Sequence, residues 1–255
     1  MKIFFLLISF VVSQISYTQI FKLDYYVAAK SGLSIRKSPS LKSPLVKKIA
    51  YGDKVEFMHF DYTSDSTTIV DGFPCQWMMI KQGKDSGYVV DAFMFPIPPP
   101  STKHQTIEDY IRSISKPIVD SLKFGDDNPR VEESIDITYK SIFKNGVEII
   151  KRQCYEYGSA TYILPSFDSR KAFQLLRLIE NEDSTSVEKN DDFPIKNKVI
   201  TRNKECKVSI FTDTKKDTFL KSPWHILFSL EFENFAETEI IELENQSIIT
   251  IRYGN

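Results

Sequence analysis

The stretch Ser31–Val46, SGLSIRKSPSLKSPLV, decides how the first part of the chain folds. Leu33 and Ile35 fall on one face of an extended backbone, and Ser34 and Arg36 on the other. That is the period-two alternation of a half-buried strand. Gly32 suits a backbone at positive φ or in a crowded place, and Pro39 presets a turn. Leu45 and Val46 then start a second apolar run. The stretch therefore reads as strand, proline turn and strand rather than as linker. Arg36 reads as a residue that fixes the loop, bonding to backbone carbonyls or to a carboxylate such as Asp53.

The same texture continues on both sides. YYVAA precedes the stretch, and LVKKIA, the turn YGD and KVEFMHF follow it. A polar insertion, DYTSDSTTIVDGFPC, separates these from the strand QWMMIK, the turn QGKDS, the strand GYVV and the terminal helical turn DAFM. Short strands at close spacing between turn signals suggest a small barrel over residues 25–95.

These residues carry a resemblance. Gly32, Leu33, Ile35, Arg36, Pro39, Ser40, Val46, Ile49, Gly52 and Val55 resemble the opening of the bacterial SH3-like (SH3b) domain family. Trp77, Gly87, Tyr88, Val89 and Phe93 resemble its second half, with a long insertion between Met58 and Trp77 as the departure. The resemblance implies an SH3-like barrel and a targeting or binding unit for cell-wall peptides or glycans. Tyr62, Phe73 and Tyr88 are candidates for an aromatic ligand platform, or else pack the insertion onto the barrel. Trp77 is a further candidate ligand contact, its alternative place being the barrel core.

The N-terminus, MKIFFLLISFVVSQISYTQ, places Lys2 before the apolar run Ile3–Val12, with Ser16 and Thr18 at a cleavage point before Gln19. That is the layout of a secretory signal peptide over residues 1–18, the alternative being a buried N-terminal element. The run is too short to span a bilayer. The expected location is periplasmic or extracellular, and the chain is not expected to be an integral membrane protein. The formal net charge of −1 gives no basic excess for nucleic acid.

Pro96 and Pro98–Pro100 can continue neither a helix nor a central strand, so residues 96–104 read as a stiff linker. Residues 105–255 read as an α+β domain with a mainly antiparallel sheet. Ile107, Ile111, Ile114, Ile118 and Leu122 have helical spacing, with Pro117 as a kink. Asn145-Gly146 marks a hairpin, and Asn245-Gln246 a second. SFDSRKAFQLLRLIEN reads as a helix capped by Ser166 or Asp168 that buries Ala172, Phe173, Leu175, Leu176 and Ile179. NEDSTSVEKNDD reads as a mobile acidic loop.

No catalytic constellation emerges. Cys154 and Cys206 are free thiols or a single disulfide. A nucleophilic cysteine wants a helix N-terminus and a histidine partner, yet Cys154 sits in a strand-like run and His225 is the one histidine far beyond the linker. No metal-ligand spacing occurs, and no cofactor is expected. The expectation is an exported, non-enzymatic protein that binds a cell-wall peptide or glycan, or another envelope protein. A divergent cell-wall hydrolase with a C-terminal catalytic domain is the alternative.

Overall fold

The computed structural model describes residues 23–61, 68–101, 106–126, 136–179, 187–202, 207–214, 223–231 and 236–254. The expected signal peptide, its cleavage point at Thr18–Gln19, Tyr62 and Cys206 lie outside these residues. Among the described residues no helix is long and apolar enough to cross a membrane.

The decisive stretch is a strand, a turn and a strand. Leu33 and Ile35 are buried in β2 (Leu33–Arg36), and β3 (Leu45–Ile49) pairs antiparallel with it. Gly32 has φ +81°, and a Cβ there would meet Ile49 O at 2.6 Å, so this turn requires glycine. Arg36 holds the loop as expected: Nη1 donates to Ser43 O at 2.7 Å, while the Ser43 hydroxyl accepts from Ser38 N at 2.8 Å.

The remaining strands of this half are β1 (Asp24–Val27), β4 (Lys54–Phe60), β7 (Trp77–Gln82), β8 (Asp85–Val90) and β9 (Met94–Phe95). With β2 and β3 they form a seven-stranded antiparallel sheet in the order β3-β2-β8-β7-β4-β1-β9. The all-β start is present, but the edge strands do not meet, so the sheet is open where a barrel was expected. One turn of 3-10 helix, Asp91–Phe93, occupies DAFM. The insertion contains a hairpin of its own, β5 (Thr68–Val70) and β6 (Phe73–Cys75), turned by Asp71 (φ 48°) and Gly72 (φ 79°). Asp-Gly with both φ positive is the two-residue turn that fits strand twist best.

The second half is a nine-stranded antiparallel sheet with two helices. Its strands are β10 (Pro117–Asp126), β11 (Asp136–Phe143), β12 (Glu148–Cys154), β13 (Tyr157–Pro165), β14 (Lys198–Thr201), β15 (Lys207–Thr214), β16 (Pro223–Glu231), β17 (Ala236–Leu243) and β18 (Gln246–Gly254). Their order is β10-β11-β12-β13-β18-β17-β16-β15-β14. Asn145-Gly146 turns β11 into β12 as expected, whereas Gln246 already belongs to β18 and leaves Glu244-Asn245 as the second turn.

The long kinked helix is a correction. Helix α1 spans only Ile107–Ile114, capped by the Thr106 hydroxyl accepting from Asp109 N at 3.0 Å. Proline restricts the residue before it to extended backbone, so the helix stops and Pro117 opens β10. An edge strand tolerates the missing N–H. Ile118 and Leu122, expected to continue the helical spacing, lie on β10 and are 66 % and 47 % exposed.

Helix α2 (Ser169–Leu178) packs between the sheets, capped by Asp168 accepting from Lys171 N at 2.9 Å. The expected apolar residues are buried, and so is the polar side: Ser169, Arg170, Lys171 and Gln174. Phe173 stacks on Phe228 of the second sheet (centroids 5.8 Å apart) and lies 5.9 Å from Phe73 of the insertion hairpin. Phe95 meets Phe167 at 5.0 Å, and buried residues of both sheets form one continuous core. Of the stretch expected to be a mobile acidic loop, residues 181–186 lie outside the described residues; in the rest Val187 and Asp191 are buried, with Asp191 paired to Arg202. The proline run is also held: Tyr110 and Tyr51 hydroxyls donate to Pro98 O and Pro100 O, each at 2.6 Å.

Arg170 locks the sheets to each other. Nη1 donates to Asp91 Oδ1 (3.0 Å) and to Pro74 O (2.9 Å), and Nη2 donates to Asp91 Oδ2 (2.8 Å) and Asp168 Oδ2 (2.7 Å). Asp91 Oδ1 also accepts from Gln76 N at 2.7 Å, and Lys171 Nζ pairs with Asp168. Two carboxylates thus balance two cations.

Removing one partner leaves a buried charge uncompensated. Asp91→Asn is expected to cost about 3–5 kcal/mol in urea unfolding. Asp91→Asn with Arg170→Gln is expected to cost less than the two single changes summed; strict additivity would contradict the lock.

Burial alone would raise the Asp168 carboxyl, but Arg170 and Lys171 outweigh it and hold the group below the usual carboxylate range. A depressed folded value gives stability that is present above about pH 4 and lost as pH falls through that range. The urea midpoint is therefore expected to drop below about pH 4, with a shallower drop in Asp168→Asn.

Candidate functional site

The seam between the sheets carries a groove built from three elements: the turn after β1, the tip of the β5–β6 hairpin and the end of α2. Its first part is a cleft of ≈ 170 Å³ whose walls include Leu33, Val70, Trp77 and Phe93, with Leu41 and Asp71 among its rim residues. Trp77 is fixed there, its Nε1 donating to Thr68 Oγ1 at 3.0 Å. The bond ties the insertion hairpin to the first sheet. Leu41 is 48 % exposed, an apolar side chain kept at the surface beside the opening.

A second depression of ≈ 240 Å³ adjoins the first, and Ala29, Ser31, Asp71 and Phe93 line both. Its further walls come from α2 and the loop after it: Gln174, Arg177, Leu178 and Lys189. The hairpin tip rests on that loop. A Cβ at Gly72 would come within 3.2 Å of Asp192 Oδ1, so the turn is placed by the second half of the chain.

Of the three expected ligand contacts that are described, Trp77 alone borders the cleft, and at 3 % exposure it belongs chiefly to the core, the alternative place expected for it. Phe73 has no exposed surface; it stacks on Phe193 at 5.3 Å and packs edge-on to Phe93, so it offers no ligand a face. Tyr88 is half-buried opposite Arg36 and lines neither depression. Tyr62 lies outside the described residues. Among the described residues, Phe73 and Tyr88 thus do not join Trp77 at the cleft. Leu41, Asp71, Gln174 and Arg177 were missed. The Asp71-Gly72 turn was the available signal, because a hairpin there carries its tip to the seam. Nothing in the spacing of α2 shows that its polar side meets a second sheet.

Cys75 and Cys154 are free thiols. Burial pushes the Cys75 thiol up to about 12, so it is inert at neutral pH. Cys154 Sγ donates to Asp136 Oδ1 at 3.6 Å, whereas His225 bonds Glu239 Oε1 through Nε2 at 2.9 Å. Strands β12 and β16 are four places apart in the sheet, about 19 Å at the usual strand spacing. Cys154 and His225 therefore do not form a dyad. Among the described residues no three His, Cys, Asp or Glu side chains gather as a metal site.

Comparison with protein-family models, with curated proteins and with solved structures gives no match for this chain.

Gly72→Ala tests how the groove wall is held. A side chain at φ 79° in contact with Asp192 is expected to cost about 1–2 kcal/mol. An unchanged urea midpoint would show that the hairpin does not rest on the loop as described.

Proposed function

We propose that the chain is an exported, non-enzymatic binding protein whose SH3-like first domain recognises a cell-envelope peptide, glycan or protein. The observation that carries this is the cleft at Trp77. The exposed Leu41, the buried Trp77 and Leu33 behind it, and the polar groups of Ser31, Ser34 and Asp71 form a concave surface suited to a ligand. The Gly-Leu-x-x-Arg opening, the Pro turn and the Gly-Tyr-Val strand support the SH3-like assignment, and an open form of that fold is the version proposed. The N-terminal Lys2 and Ile3–Val12 pattern supports export, with cleavage before Gln19. The hydrolase alternative draws no support from the described geometry.

The mature chain from Gln19, incubated with purified peptidoglycan and with envelope extract, is expected to be retained. Leu41→Glu places a charge at the exposed rim of the cleft and is expected to lower retention about tenfold or more at unchanged fold. Absence of retention on both materials would overturn the proposal, and product formation from peptidoglycan would overturn its non-enzymatic part.

A further inference from the structure

Beyond Trp77 the groove changes character. The depression next to α2 is lined by Arg177 and Lys189, with Asp71 as the carboxylate of its lining. At the Trp77 end the one cation, Arg36, is already bound to Ser43 O. The groove is apolar at one end and cationic at the other.

Arg177 is the built element of the cationic end. Its Nε donates to Lys189 O at 2.8 Å, and its Cζ lies 5.3 Å from the centre of the Phe73 ring. A backbone bond and a ring therefore fix the guanidinium plane. The two Nη groups make no hydrogen bond among the described residues, which leaves the fork that pairs best with a carboxylate unused. Burial lowers the Arg177 pKa despite the fields of Asp71, Asp191 and Asp192. Asp191 is itself bound to Arg202.

Gln174 lies one helical turn earlier and lines the same depression at 6 % exposure. Its Nε2 donates to Ala28 O at 3.3 Å, while its Oε1 is buried without a partner. A buried acceptor without a donor is unfavourable, so a donor arriving with a ligand is favoured.

We propose that the groove takes an extended acidic peptide, its apolar side chain in the Trp77 cleft, a backbone N–H on Gln174 Oε1 and a side-chain carboxylate on the Arg177 fork. This rests on the groove being the ligand surface, as proposed above. A side-chain carboxylate is assigned rather than a chain end because a third depression, which shares Lys30 and Ser31 with this one and also holds Lys48, leaves room for more peptide.

The test titrates the mature chain with acetyl-Ala-Leu-Ala-Glu-Ala-amide, its Gln counterpart, and acetyl-Ala-Leu-Ala with a free chain end, by calorimetry. The Glu peptide is expected to bind at least about tenfold more tightly than the Gln peptide. Arg177→Gln is expected to remove that difference, and Arg177→Lys to restore part of it, with each variant's fold checked by circular dichroism. The unsubstituted chain gives the same information alone, since added salt is expected to weaken the Glu peptide selectively. Equal binding of the Glu and Gln peptides would overturn the carboxylate pairing. Preference for the free chain end would overturn the side-chain assignment. No peptide binding by a protein still retained on envelope material would overturn the peptide class and leave the general binding reading intact. Loss of that retention as well would remove both.

Discussion

Arg170 and Asp91 form the contact on which the rest of the structure depends. Their paired bonds, at 2.8 and 3.0 Å, join the helix of the second half to the 3-10 turn that closes the first. Arg170 also reaches Pro74 O in the insertion hairpin. One guanidinium therefore positions both sheets and the hairpin. A buried pair of this kind gives little net stability over an apolar contact, because taking both charges out of water is costly. Its effect is on geometry: a misplaced helix would leave both charges unanswered. The apolar part of the seam, Phe73, Phe173, Phe193 and Phe228, supplies the driving force that the ion pair directs.

The groove follows from this arrangement. It lies where three elements from distant parts of the sequence converge, and each is anchored elsewhere. Trp77 is tied to Thr68, the Asp71-Gly72 tip rests against Asp192, and Arg177 lies over Phe73. A surface assembled across a locked seam is preorganised, and so less of the binding energy goes into ordering it. Among the described residues lining the groove, Gln174 Oε1 is the buried group that the fold itself leaves unanswered.

The strands of the first half were legible because their alternation is short-range: Leu33 and Ile35 point inward whatever the rest of the chain does. The Asn145-Gly146 hairpin and the Asp168 cap were legible for the same reason. Pro117 misled the helix assignment, because the spacing of Ile107–Leu122 continues through a residue that ends helices. The spacing of α2 marked only its apolar side for burial. Arg170, Lys171 and Gln174 are buried only because a second sheet brings Asp91, Pro74 O and Ala28 O to them, and sequence spacing does not report such long-range partners. The same holds for the ligand candidates. For Phe73 and Trp77 the sequence left a surface place and a packed place both open, and the burial of both side chains follows the packed one.

One tryptophan lies in each sheet, Trp77 in β7 and Trp224 in β16. Equilibrium unfolding followed by fluorescence in Trp77→Phe and Trp224→Phe therefore reports the two halves separately. With one shared core and the Arg170–Asp91 lock, the two transitions should coincide in urea midpoint once each variant's own stability is matched by circular dichroism. Two separate transitions, the half carrying one tryptophan unfolding while the other stays folded, would contradict the account.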